Sequence, residues 1–311
     1  MAKNSKPREG SLQFWPRKKA RKFLPSSNWK ALKQDGLLGF ITYKVGMSSA
    51  IVKDNTPDSM TKNKKISIPI TILEAPEMRI FSVRYYKKGL CIGEKINENL
   101  DKELKKILKI PKQKKDKKIE DFDDIRLIVY SQVKKTGIKK SPDIIEVGLG
   151  GNLDDKKKLV EELKKRGISI NDFIKEGIVD VRGLTKGKGF SGTVKRFGIG
   201  LRQHKSEKGV RKPGSIGPWH PAYVSFRTPM PGQLGLFTRV NYNNKIISIG
   251  KISEKDINPK QGFKNFGNIK TDYIILKGSV QGPAKRQILL TKPLRKTKKQ
   301  EKLNYDLLEI K

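Results

Sequence analysis

Apolar residues are sparse and aperiodic over the first 35 positions, gather into short runs from Gly36 onward, and thin out again between Thr185 and Gly232. The runs Leu37–Val45, Ser49–Lys53, Ile66–Leu73 and Arg79–Tyr86 are rich in β-branched and aromatic residues and are separated by Gly, Pro, Asn and Asp, which predicts strands. Ile125–Val133, Ile144–Leu149, Ile178–Leu184, Leu234–Tyr242, Lys245–Ile252, Asp272–Val280 and Arg286–Thr291 have the same character. Asn243-Asn244, between two of these runs, predicts a hairpin turn because Asn tolerates positive φ. Two segments carry helical spacing instead: Leu100, Leu104, Ile107 and Leu108 within Asn97–Ile110, and Leu159, Val160 and Leu163 within Asp154–Arg166, with Gly167 as a stop.

The pattern predicts a mainly β protein with an α/β insertion. Short strands returning on either side of the insertion favour a small β-barrel core, drawn from residues 36–94 and 177–292 and interrupted by the insertion at 95–176. Residues 1–35 read as a basic N-terminal extension, 185–232 as a long basic central loop within the barrel, and 293–311 as a basic C-terminal tail. Ordering a residue costs about 1–2 kcal/mol of backbone entropy, and Leu12, Phe14, Trp15, Phe23, Leu24 and Trp29 are too few to offset that for the extension without a partner surface. The extension and the central loop are therefore expected to be mobile in the free protein, and a loop this long without a period calls for a functional explanation.

Charge says what the partner is. The chain carries 69 Lys and Arg against 31 Asp and Glu, a formal +38 over 311 residues. Self-repulsion of that size calls for a polyanion. The 35% of hydrophobic residues still supply a real core. Cys91 is the only cysteine, which excludes an internal disulfide and a thiolate metal cluster; its expected role is a small core hydrophobe. No leader-like apolar segment and no run near the roughly 18 apolar residues of a membrane span occurs, so the chain reads as cytoplasmic.

Gly187, Gly189 and Gly192 followed by Val194 spell G-x-G-x-x-G-x-V, a nucleotide-binding pattern when taken alone. A dinucleotide site needs a helix immediately afterwards, which Thr193, Val194, Phe197, Gly198 and Gly200 disfavour, and a kinase needs H-R-D and D-F-G, which are missing. The same glycines suit a backbone lying close against a phosphate chain. Lys186, Lys188, Lys195, Arg196, Arg202, Lys205, Lys208, Arg211 and Lys212 interleave with or follow them, and Glu207 is the only nearby acid. His204 and His220 are the only histidines, too few for a His-rich metal site, and are expected to contact RNA. No catalytic constellation, metal site or cofactor is predicted. The competing reading is an RNA-modifying or remodelling enzyme with basic substrate-binding tails, but an enzyme would gather acid/base groups in one cleft. Here charge is spread over the extension, the loop and the C-terminus (Lys285, Arg286, Lys292, Arg295, Lys296, Lys298, Lys299).

Pro7-Arg8-Glu9-Gly10-Ser11-Leu12 and Pro16-Arg17-Lys18-Lys19-Ala20 resemble the N-terminal signature of the large-subunit ribosomal protein three family in its archaeal and eukaryotic forms. Thr185–Phe190 with Gly192, Lys195 and Arg196 is similar to that family's lysine-glycine stretch, and Ile216–Pro221 to its tryptophan-histidine-proline tip. Pro231-Gly232-Gln233, Gly235, Arg239, Asn241 and Lys245 continue the match, which is best with the archaeal form. One departure is Glu207, where eukaryotic relatives place a histidine.

The resemblance implies a barrel with an α/β insertion, an extension and central loop threading into large-subunit rRNA, a loop tip approaching the peptidyl transferase region and an early role in subunit assembly. It implies rRNA and neighbouring large-subunit proteins as partners, with no membrane, small-molecule substrate or catalytic residue. The residues expected to bind rRNA are Arg8, Arg17, Lys18, Lys19, Arg21 and Lys22 in the extension, and Lys186, Lys188, Lys195, Arg196, Arg202, His204, Lys205, Arg211, Lys212, Trp219, His220, Arg227 and Arg239 in and after the loop. Gly187, Gly189 and Gly192 are expected to lie close to the RNA backbone. Trp219, held between Pro218 and His220-Pro221 with no strand or helix period around it, is expected to meet an RNA base.

Overall fold

The computed structural model describes residues 9–109, 119, 121–203, 205 and 208–311. In chain order the elements are β1 (Gly36–Leu37), β2 (Gly39–Asp54), β3 (Lys65–Glu74), β4 (Met78–Lys87), β5 (Leu90–Ile96), β6 (Asp124–Ser131), β7 (Ile144–Gly150), α1 (Leu153–Arg166), α2 (Ile170–Phe173) and β8 (Ile178–Leu184). They continue as β9 (Phe190–Ser191), α3 (Thr193–Phe197), β10 (Gly232–Gln233), β11 (Thr238–Lys251), β12 (Asp272–Lys277), β13 (Gln287–Thr291), α4 (Lys298–Glu301) and β14 (Tyr305–Ile310). The protein is mainly β and its sheets are antiparallel. It divides into two compact units: the described residues of Met1–Lys22 with Leu184–Thr238, and Phe23–Gly183 with Arg239–Lys311.

In the larger unit one sheet runs β13-β8-β11-β12-β3-β2-β14. β13 pairs with β2 as well as β8, so the ladders lead from β2 through β3, β12, β11, β8 and β13 back to β2. β2 shows why the pattern works. Its first half, Gly39–Val45, is wholly buried, Thr42 and Lys44 included, whereas beyond Gly46 exposed and buried residues alternate as they do on a one-sided strand. The two halves feed two cores, one around Phe40, Ile41, Leu289 and Leu290, the other around Val45, Val52, Ile70 and Ile275. Trp29 fills the first core. A Cβ on Gly39 would lie 2.8 Å, and one on Gly148 2.6 Å, from its side chain. Leu24, Trp29 and Leu32, within the stretch read as an extension, are thus buried parts of the body.

A second sheet has the order β1-β7-β6-β4-β5. From its place in the sequence β4 is expected with the preceding strands; its register with β6, Arg84 opposite Arg126, puts it in this sheet instead. α1 forms where the helical spacing predicts it, with Asp154 and Asp155 in its first turn, Lys164, Lys165 and Arg166 in its last, and Gly167 beyond at φ +84. Val160 and Leu163 are its buried positions.

Four expectations need correction. Asn97–Ile110 is no α-helix: a short 3-10 turn at Lys102–Lys106 buries Leu104, and Ile110 lies outside the described residues. Asn243-Asn244 does not close a hairpin. β11 runs straight through them while Asn243 alone takes φ +54 as an irregularity, its N–H donated to Asp180 Oδ1 at 2.8 Å. Cys91 is exposed, because β5 is an edge strand with few packed positions. Finally, a helix does follow the glycine-rich motif, the single turn α3, which Gly198 ends at φ +62. In the segment read as a C-terminal tail, β14 pairs with β2.

Candidate nucleic-acid interface

The smaller unit is where most of the predicted RNA-facing residues lie. Its frame is a narrow hairpin. Thr185 N–H donates to the Phe237 carbonyl at 3.0 Å, Lys188 N–H to Leu234 at 3.0 Å, and Leu234 N–H to Gly189 at 2.8 Å. β9 and β10 then pair Ser191 with Gly232 and Phe190 with Gln233. The strands come so close that a Cβ on Gly235 would lie 1.9 Å from the Lys186 carbonyl oxygen, and Gly235 also needs its φ of +75. The three motif glycines separate by role: Gly187 makes room for Leu236, at 3.1 Å from where a Cβ would be, whereas Gly189 at φ +64 and Gly192 at the start of α3 face open space.

α3 and the N-terminal segment share an aromatic cluster. Phe197, fully buried, stacks with Trp15 at 6.2 Å and 14°, and Trp15 meets Phe226 edge-on at 5.6 Å. The Arg17 guanidinium lies over both the Phe197 and Trp15 rings and donates to the Ser11 carbonyl at 2.9 Å. Glu9 N–H donates to the Phe197 carbonyl and Ala20 N–H to the Leu236 carbonyl, both at 3.0 Å.

Arg196 uses its donors inside the protein, Nε on the Gln233 carbonyl at 3.1 Å and Nη1 on the Met230 carbonyl at 2.8 Å; burial pushes its pKa below the ordinary value. Arg202 Nη2 likewise donates to the Pro213 carbonyl at 2.8 Å. These two arginines shape the loop. Arg17, Arg196 and Arg202 are partly buried, whereas Lys18, Lys19, Arg21, Lys22, Lys186, Lys188, Lys195, Lys205, Arg211, Lys212, His220 and Arg227 are exposed. Arg239 belongs to the larger unit, where burial lowers its pKa. Arg8, His204 and Glu207 lie outside the described residues.

Trp219 is 88% exposed. Phe190, Tyr223 and Phe226 are exposed on the same loop, and reasoning from sequence missed all three as site residues. The signal available was a set of aromatics in a segment with no period to bury them. Across the described part of the unit, five Lys and Arg in Glu9–Lys22 and ten in Leu184–Thr238 stand against one carboxylate, Glu9. The arrangement offers cations for phosphates and open aromatic faces for bases. Among the described residues no cluster of His, Cys, Asp and Glu could hold a metal ion, and no helix is long and apolar enough to cross a membrane.

The model of the family described as ribosomal protein L3 matches residues 1–310. The chain belongs to the ribosomal protein L3 family. It is 40% identical over 309 residues to the large ribosomal subunit protein uL3 of Methanocaldococcus jannaschii, covering 94% of this chain and 92% of that protein. The proteins of the same name from Methanococcus vannielii and Methanosphaera stadtmanae are each 39% identical, over 305 and 320 residues; the alignments cover 93% and 96% of this chain and 91% and 95% of theirs. In this member of the L3 family Arg17, Arg196 and Arg202 thus hold the loop and the N-terminal segment in shape, whereas the described lysines of the smaller unit, with Arg21, Arg211 and Arg227, lie open at the surface.

Proposed function

We propose that the chain is a structural constituent of the large ribosomal subunit that binds and organises large-subunit rRNA, aids early subunit assembly and extends residues 185–232 toward the peptidyl transferase centre. It is not an enzyme; its family is one of ribosomal proteins. The observation that carries the RNA reading is the smaller unit, whose described residues set fifteen Lys and Arg against one carboxylate, Glu9, and hold Trp219 open to solvent. A surface of that composition repels itself until phosphates neutralise it. Lys186, Lys188, Lys195, Lys205, Arg211, Lys212 and Arg227, with Lys18, Lys19, Arg21 and Lys22, then take phosphates, Trp219 and His220 take bases, and Gly189 and Gly192 let the backbone approach. Arg17, Arg196 and Arg202 act by holding these residues in place.

The larger unit serves as the anchor. The return of the β2–β13 ladder supports a small barrel, with the sheet of β4 to β7 and α1 as an α/β insertion on it. That sheet neutralises itself through Arg84–Glu94 at 2.9 Å, Arg126–Glu146 at 3.3 Å and Lys156–Asp124 at 2.7 Å, which suits solvent or protein neighbours better than RNA. Neighbouring large-subunit proteins are its partners there, in the cytoplasmic ribosome. Cosedimentation tests the function: the protein travels with large subunits in stoichiometric amount, and a substoichiometric, enzyme-like distribution would overturn the reading.

A further inference from the structure

The connection between β2 and β3, residues 55–64, holds more hydrogen bonds than a link between strands needs. Asp54 is buried at the end of β2, and its carboxylate accepts from the Thr56 N–H at 2.9 Å, the Ser59 hydroxyl at 2.7 Å and the Thr61 hydroxyl at 2.6 Å. These donors hold its pKa well below the ordinary value. Asn63, at φ +62, donates its N–H to the Asp54 carbonyl at 2.7 Å, and Asp54 N–H donates to the Lys64 carbonyl at 3.1 Å. The foot of the turn is tied to the chain before β14, with Asn55 N–H on the Asn304 carbonyl at 3.0 Å and Asn304 N–H on Thr56 Oγ1 at 3.1 Å.

This rigid turn presents Met60, 97% exposed, with Lys62, Lys64 and Lys65 exposed beside it. Its exposed carboxylate, Asp58, is met by Lys302 Nζ at 3.6 Å. One apolar side chain among lysines is a poor protein-binding patch, since protein interfaces have broad apolar centres and are depleted in lysine. It suits structured nucleic acid, where methionine is among the apolar wedges set against bases while cations take the flanking phosphates. A turn ordered in advance binds without paying that entropy on contact.

We propose that Asp54–Lys65 is a second RNA-docking element, on the larger unit, in which Met60 packs against a base or sugar and Lys62, Lys64 and Lys65 lie on phosphates. The identity of the RNA rests on the ribosomal reading above; the wedge itself does not depend on the smaller unit.

The test attaches a photo-crosslinker to the thiol that Met60→Cys introduces, in a full chain that also carries Cys91→Ser. The labelled chain is incorporated into large subunits, with incorporation of the unmodified chain measured alongside. An adduct to rRNA is expected. Subunits that contain the protein but give an adduct only to protein, or none, overturn the proposal and leave the ribosomal reading intact; failure of the unmodified chain to enter subunits overturns that reading instead. As a second measurement on the full chain, Lys62→Ala/Lys64→Ala should lower the salt slope of binding to large-subunit rRNA by about 0.7–0.9 per lysine. An unchanged slope counts against the proposal.

Discussion

The Arg17 guanidinium carbon lies 4.5 Å from the centroid of the Phe197 ring. Arg17 comes from the basic N-terminal segment and Phe197 from the end of α3, so the contact couples two basic stretches that are far apart in sequence. Phe197 is fully buried, and its truncation should cost the smaller unit about 3–5 kcal/mol, whereas loss of the cation over the ring should cost about 0.5–1 kcal/mol. The Glu9 and Ala20 amides, bonded to Phe197 and Leu236, report on this directly. Hydrogen exchange of the RNA-free protein should show both amides exchanging faster in Phe197→Ala, and less so in Arg17→Ala. Unchanged exchange in both variants would mean that the aromatic cluster does not hold the segment.

Arg196 and Lys195 are neighbours with opposite roles. Arg196 donates to the Gln233 and Met230 carbonyls, while Lys195 is exposed. Arg196→Lys keeps the charge but loses the fork that serves both carbonyls, so RNA affinity should fall at all salt concentrations with the salt slope unchanged. Lys195→Ala should instead lower the slope by about 0.7–0.9. Filter-binding titrations from low to high salt separate the two, and equal slope changes would contradict the division into holding and contacting residues.

Much of the strand pattern was legible because burial on two faces and on one face leave different periods, as the two halves of β2 do. β8 is found with the predicted bounds, Ile178–Leu184. Misreadings fall where a tertiary bond overrides a local signal. Asn243 carries the positive φ that its type permits, yet the buried Asp180 carboxylate takes its N–H and β11 continues past it. At the candidate interface, the cations were visible as composition, but which of them hold the loop was not. Nothing in the string distinguishes Arg196 from Lys195, because the carbonyls that choose between them arrive from Met230 and Gln233.

Glu74 offers a pH test of the larger unit. Its side chain is fully buried; Oε1 accepts from Lys270 N–H at 2.8 Å and from Thr271 N–H and Oγ1 at 3.1 Å, while Oε2 has no hydrogen-bond partner among the described residues. Burial raises its pKa above the ordinary 4.5 despite those donors. A carboxyl with a raised folded-state pKa binds its proton more tightly in the folded than in the unfolded chain. Its stabilising contribution is therefore fully present below the unfolded value and is lost as pH rises through the folded value. Glu74→Gln removes that loss, so the variant's denaturation midpoint should gain on the parent's as pH rises from about 4 to 7. A difference that stays constant across that range would show that Glu74 does not titrate as described.

Trp219 gives the most direct test of the loop tip. At 88% exposure its ring has almost no packing to lose, whereas a core tryptophan cut to alanine costs about 3–5 kcal/mol. Thermal unfolding of free Trp219→Ala should therefore match the parent. A stacked base is worth roughly 1–3 kcal/mol, small beside the summed phosphate contacts of the surrounding lysines, so the variant should still enter large subunits in near-normal amount. The deficit belongs to what the tip does once it is in place: subunits carrying Trp219→Ala should show altered peptidyl transfer or tRNA binding. Trp219→Phe, which keeps an aromatic face, should recover much of the activity, and Trp219→Leu, which keeps bulk without that face, should not. Equal recovery by both would replace stacking with simple apolar packing. A large fall in the melting temperature of free Trp219→Ala would contradict the exposed placement, and unchanged activity with unchanged stability would remove Trp219 from the functional residues.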